Sequence, residues 1–263
     1  MLQQALDFRE ECDVLAELLD QPAAMDWQRT TKFKDWSVDD VLAHLHFFNY
    51  AADLSLRDEQ AFDELFARLF KAMGDGTGHL AFSHDWLEGT RGRALYDLWR
   101  DFYPAMAERF AAADPEARLK WAGPDMSVRM SITARQMETW AHGQALFDLF
   151  AKPRRESDRI KNIAVIGIKT YGWTFANRGQ EPPGPPPCVR LGAPSGTRWA
   201  FNEENADNTV EGDAVAFCQV VTQTRNIADT DLTVTGEAAR QWMAIAQCFA
   251  GPPEDPPAPG ARG

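Results

Sequence analysis

From residue 1 to about residue 150, apolar side chains recur at helical spacing almost throughout, and this constrains the fold more than any other feature of the chain. Leu2, Ala5, Leu6, Phe8, Leu15, Leu18 and Leu19 mark a first amphipathic run. A second begins in DWSVDDVLAHLHFFNYAADLSL. There Ser37 is placed to cap a helix, and Asp39 and Asp40 fall in the first turn, where acids suit the helix dipole. A third run covers roughly 60–73 and is broken by GDGTG. A fourth extends from about 88 to 113 through Leu95, Leu98, Trp99, Phe102, Met106 and Phe110, and a fifth from about 127 to 150 in SVRMSITARQMETWAHGQALFDLF. Helices of this length joined by short polar connections predict an antiparallel bundle.

Composition changes after Phe150. The basic, polar stretch AKPRRESDRIKN places a boundary near residue 152, with a helical bundle over 1–152 and a second domain over 153–250. Residues 160–177 suit another helix, whereas RGQEPPGPPPC holds five prolines in eleven residues and must be extended. CVRLGAP and TRWAFNE read as strands around a turn at Pro194-Ser195-Gly196. GDAVAFCQVVTQT reads as a helix, TDLTVTG as an extended piece, and EAARQWMAIAQCFA as a final helix, so the second domain is expected to be α+β. GPPEDPPAPGARG, residues 251–263, has little to bury and is expected to be a flexible tail.

The 263 residues carry 39 Asp and Glu against 27 Lys and Arg, a formal charge of −12, which argues against nucleic acid and anionic membrane as main partners. No run of about 18 apolar residues is present, so no membrane span is expected. The N-terminal MLQQALDFREECDVL has acids where a secretion signal needs basic and then apolar residues. Cys12, Cys188, Cys218 and Cys248 are far apart with no CxxC pair and read as reduced, buried thiols of a cytoplasmic protein. The expected partner is a small-molecule substrate.

There are five histidines, His44, His46, His79, His84 and His142. Glu138 and His142 are four apart and project from one helix face, which also carries Ala134, Met137, Ala141 and Ala145. A glutamate and a histidine facing a ligand from another helix is how bundles build metal sites. His44 and His46, two apart, point to nearly opposite faces. His44 sits at the inner edge of the stripe Val41, Leu45, Phe48 and Ala52 and is the preferred third ligand. Such a set suits a divalent ion, zinc first and also iron or nickel, with a coordination position left open. Spacing alone favours the blander reading of a solvated Glu138 and a hydrogen-bonded core His142.

DWSVDDVLAHL and ARQMETWAHGQALFDLF together resemble the N-terminal metal-binding domain of the mycothiol-dependent maleylpyruvate isomerase family, within the DinB-like four-helix-bundle superfamily. The stretch TVEGDAVAFCQVVTQTRNIADTDLTVTGEAARQWMAIAQCFAGPP resembles a related bacterial branch of metal-binding proteins. The resemblance implies a DinB-like four-helix bundle followed by an α+β sterol-carrier-like domain that helps close the active site. It implies a metal held by His44, Glu138 and His142. It implies a low-molecular-weight thiol as cosubstrate, mycothiol or glutathione, and an arginine of the second domain in the reaction, for which Arg225 is the candidate. One departure stands out: many relatives have an acid shortly after the last histidine, where this chain has Ala145, with Asp148 three further on.

The chemistry the resemblance implies is thiolate addition to an electron-poor double bond of an unsaturated acid, rotation about the resulting single bond, and elimination of the thiol. Arg225, Arg93 or Arg135 would hold the carboxylate or developing enolate. His46 would be a second-layer or proton-transfer group, and Trp121 and Met126 would wall the pocket. Three readings follow: a thiol-using isomerase or S-transferase; a hydrolase, hydratase or lyase that activates water at the metal; and a non-catalytic ligand-binding protein with a structural metal, whose fourth ligand would be Cys188 or Cys218.

Overall fold

The computed structural model describes residues 1–20 and 25–262. They divide into two compact units, Met1–Lys152 and Pro153–Gly263.

The first unit contains α1 (Gln3–Leu19), α2 (Val38–Arg57), α3 (Glu59–Gly74), α4 (His79–Trp86), α5 (Gly92–Ala112), a short antiparallel pair β1 (Arg118–Leu119) and β2 (Met126–Ser127), and α6 (Val128–Leu149). Helix α1 packs against α5 and α6, and α2 packs against the same two. Phe8, Leu15, Val41, Leu45, Trp99, Phe110, Ile132 and Leu146 fill the space among them. Helices α3 and α4 cover the remaining side of α2 over a second apolar cluster that includes Phe47, Leu54, Phe62, Phe66 and Phe82. Helix α2 is therefore enclosed, and every residue from 41 to 47 is buried.

The start of α2 is fixed by a reciprocal cap. The Ser37 hydroxyl accepts from Asp40 N at 3.1 Å, and Asp40 Oδ2 accepts from Ser37 N at 2.9 Å, an arrangement that stabilises a helix end by about 1 kcal/mol. Asp58 ends α2 and also caps α3 by accepting from Ala61 N at 3.0 Å, which turns the chain sharply between the two helices. Ser127 caps α6 by accepting from Met130 N. Neither α4 nor the β1–β2 pair has a marked pattern in the sequence, because each is short and half-buried.

The second unit contains α7 (Lys161–Lys169), α8 (Tyr171–Ala176), β3 (Cys188–Gly192), β4 (Arg198–Phe201), β5 (Thr209–Asp213), α9 (Ala214–Val221), β6 (Thr233–Thr235) and α10 (Glu237–Ile245). The sheet order is β4-β3-β5-β6; β3 and β5 are parallel and the other pairs antiparallel. Val189, Leu191, Trp199 and Val210 are buried from the sheet, and Phe217, Trp242 and Tyr171 pack their rings together. Strand β5 lies where the sequence pattern suggests only the approach to a helix. Asp213 ends it and caps α9 by accepting from Val215 N and Ala216 N.

Residues 251–262 correct the expectation of a flexible tail. Arg178 pairs with Asp255, Gln223 Nε2 donates to Glu254 O, Asn226 Nδ2 donates to Pro257 O, and Gly260 N donates to Asp229 Oδ1. Arg262 Nη1 donates to Gln223 O. The segment buries little apolar surface, so composition misses it. Its prolines pre-extend the backbone and leave carbonyls free to accept, which lowers the entropy lost on docking. Gly263 lies outside the described residues. Among the described residues no helix is long and apolar enough to cross a membrane.

Candidate metal centre

Helices α2 and α6 pack side by side, and their contact brings His44, Glu138 and His142 together. One donor atom from each lies within 4.8 Å of the other two. Glu138 Oε2 faces Nε2 of His44 and Nε2 of His142, each at 3.2 Å. The two imidazole rings stand 4.4 Å apart between centroids. Among the described residues no cysteine joins this group.

The electrostatics suit cation binding. Burial pushes the His44 imidazole down to about 3, with the neighbouring His142 adding to the effect, so His44 is neutral at physiological pH. Burial alone would raise the Glu138 carboxyl, but the hydrogen bonds from His142 and His44 outweigh it and hold the group well below the usual carboxylate range.

Aromatic rings surround the group. Trp36 stacks on His142, and Phe33 meets the same ring edge-on at 5.1 Å. Phe48 lies 4.8 Å from His44, and His79, at the start of α4, lies 5.7 Å from it. His44 Nδ1 is buried with no hydrogen-bond partner among the described residues, so packing and the Nε2 contact with Glu138 set the orientation of this ring. Phe33 and Trp36 are presented by a tight turn. Trp36 N donates to Phe33 O at 2.9 Å, Thr31 N donates to Trp36 O at 2.8 Å, and Lys34 and Asp35 between them hold φ of 51° and 55°.

The other candidates are dispersed. His46 points away from Glu138; it is buried against Trp86 and Phe102, with centroids at 5.8 and 5.3 Å, and burial pushes its imidazole down to about 4. That position corrects its candidacy for proton transfer at the cluster, because residues two apart on a helix face different neighbours. Arg93 is exposed near the start of α5, where it pairs with Asp97 at 2.8 Å and Asp20 at 3.6 Å, so its charge is already engaged away from the cluster. Trp121 packs on Phe62, Phe66 and Phe48, one ring removed from His44. Met126 is half-buried in β2. Arg135 is buried on α6, one turn before Glu138, and donates to Asn49 Oδ1. Arg225 belongs to the second unit, where its Nη1 donates to Thr224 O. Asp148 accepts from Gln144 Nε2 at 2.9 Å.

Sequence reasoning placed Phe48 on the buried stripe beside His44 but missed Phe33, Trp36 and His79 as neighbours of the cluster. Trp36 alone carried a signal. It precedes the Ser37 cap, where an apolar residue commonly staples a helix start, and it shares the core with Val41 of the first turns.

The family described as the mycothiol maleylpyruvate isomerase N-terminal domain matches residues 8–147. An uncharacterised protein of Mycobacterium tuberculosis, found in two strains, is 33% identical over 247 residues, covering 94% of this chain and 95% of its own length. The crystal structure of the mycothiol-dependent maleylpyruvate isomerase superposes with a TM-score of 0.51 at 12% identity, covering 83% of this chain and 87% of that one. A mutant of that enzyme gives the same TM-score at 11% identity. At this identity the likeness shows a shared fold, a helical first region followed by a helix-and-sheet region. With the pattern spanning residues 8–147, the chain belongs to the mycothiol maleylpyruvate isomerase N-terminal domain family.

Proposed function

We propose that this protein is a divalent-metal-dependent enzyme that uses a low-molecular-weight thiol to isomerise, or to transfer sulfur to, a small unsaturated or electrophilic acid. The observation that carries the reading is the convergence of two imidazole nitrogens on one carboxylate oxygen at 3.2 Å each. Two ligand atoms at 2.0–2.1 Å from a tetrahedral ion stand about 3.3 Å apart, so the separations of both histidines from Glu138 match those around a zinc-sized cation. The donor chemistry also admits iron or nickel. The packing of α2 and α5 with α1 and α6 supports a DinB-like four-helix bundle, and the mixed sheet with its helices supports a sterol-carrier-like second unit. The absence of disulfides among the four cysteines supports a cytoplasmic setting.

A divalent cation held by His44, Glu138 and His142 would supply the charge that lets a bound thiol exist as thiolate at neutral pH. The protein's own groups prepare that step. Glu138 is ionised and His44 is neutral, so Nε2 offers its lone pair to a cation once the ring carries its proton on Nδ1. Trp36, Phe33 and Phe48 pack apolar rings against one side of the cluster. This low-dielectric wall strengthens every charge interaction inside it.

Elemental analysis of the purified protein tests the reading directly. Wild type should carry about one metal ion per chain. Glu138→Ala and His142→Ala should each lose most of it, and His46→Ala should keep it. Full metal retention in either ligand variant would refute the assignment. Turnover of a small unsaturated acid should require added thiol; turnover without thiol would point instead to water as the nucleophile.

A further inference from the structure

Arg135 and Asn49 form a polar pair that the metal cluster does not use. Arg135 is 3% exposed and Asn49 is wholly buried. Arg135 Nε donates to Asn49 Oδ1 at 2.9 Å. Arg135 Nη2 and Asn49 Nδ2, both buried donors, have no hydrogen-bond partner among the described residues. Leaving a buried donor without an acceptor costs about 1–3 kcal/mol, and more where the group is charged. Native folds keep such groups where an acceptor is supplied to them.

The position of the pair says which acceptor. Arg135 lies one turn before Glu138 on α6, and Asn49 lies on α2 little more than a turn after His44. The Arg135 guanidinium is 5.9 Å from the centre of the Phe48 ring, which also packs against the His44 ring. Burial pushes the Arg135 guanidinium down, and the nearby Glu138 carboxylate opposes this. A positive group and an amide donor, side by side in a low-dielectric site, match the two oxygens of a carboxylate. The geometry points to Arg135 and Asn49 as the pair that binds the carboxylate of the small acid beside the metal cluster, with Arg135 Nη2 and Asn49 Nδ2 as the donors. The nature of the acid rests on the proposed function; the binding pair does not depend on the metal.

Calorimetric titration of the zinc-loaded protein with maleate, and with formate as the smallest carboxylate, tests this, with zinc content measured on the same samples. Wild type should bind maleate at one site per chain. Arg135→Met should weaken that binding at least tenfold while zinc content stays unchanged. Asn49→Asp places a carboxylate against Arg135 from within, so it should also abolish maleate binding and keep zinc; it serves as the readout if Arg135→Met fails to fold. A folded, zinc-replete wild type that binds neither acid overturns the proposal, as does equal maleate affinity in wild type and Asn49→Asp. Loss of zinc with Arg135-dependent maleate binding retained would overturn the metal reading alone and uphold the pair.

Discussion

The indole of Trp36 lies 6° from parallel with the imidazole of His142, their centroids 5.4 Å apart, on a residue that immediately precedes the cap of the helix carrying His44. One side chain therefore links the start of α2 to a proposed ligand on α6. Trp36→Ala should lower zinc affinity by about tenfold, the low end of what outer-layer support is worth at metal sites. It should also destabilise the fold by about 3 kcal/mol through the cavity it leaves. Competition with a chelator and urea unfolding check the two parts separately.

The turn that presents Phe33 and Trp36 is strained, because Lys34 and Asp35 are consecutive non-glycine residues with positive φ. Each such residue costs on the order of 1 kcal/mol. Replacing the pair by Lys34→Asn with Asp35→Gly, the residues such turns favour, should raise stability by about 1 kcal/mol and leave metal content unchanged. A thermal melt and elemental analysis check this.

All four cysteines are buried and none is in a disulfide. Burial pushes the Cys12 thiol well up from its ordinary range and raises Cys188 as well, so neither offers a thiolate at neutral pH. An aromatic disulfide reagent at pH 8 should find no fast-reacting thiol in the native protein and four after denaturation. The same result would leave the nucleophilic sulfur of the proposed reaction to a cosubstrate.

In the second unit, Gly167 of α7 faces Val221 of α9 so closely that a Cβ would stand 2.7 Å from Val221 Cγ2. Gly167→Ala should cost about 1–3 kcal/mol by overpacking. Val221→Ala makes room for the new methyl, so the double variant should be more stable than the two separate losses predict. A double-mutant cycle of denaturant unfolding reads that difference.

What the sequence made legible follows from periodicity. The five apolar runs of the first unit became α1, α2, α3, α5 and α6 because each is long enough for a 3.6-residue repeat to register. Glu138 and His142 met His44 because spacing on α6 and the buried stripe on α2 set which faces touch. Strand β5 escaped because TVEGD is short and its pairing with β3 is a contact between segments far apart in sequence. The aromatic ring around the cluster escaped for a related reason. Phe33 and Trp36 arrive from a turn, and His79 from an eight-residue helix with no strong periodicity. The tail escaped because its attachment runs through backbone carbonyls and single polar side chains, which composition does not weigh.

Helix α2 has no water-facing stripe between residues 41 and 47. A mutation there to change what the protein recognises would disturb a neighbouring helix first. Exposed residues such as Lys32, Lys34 and Asp35 in the 29–36 turn and Ala81 in the opening turn of α4 are where a breeder of new specificities would look. The enclosed helix would then serve as a fixed anvil against which such changes are struck.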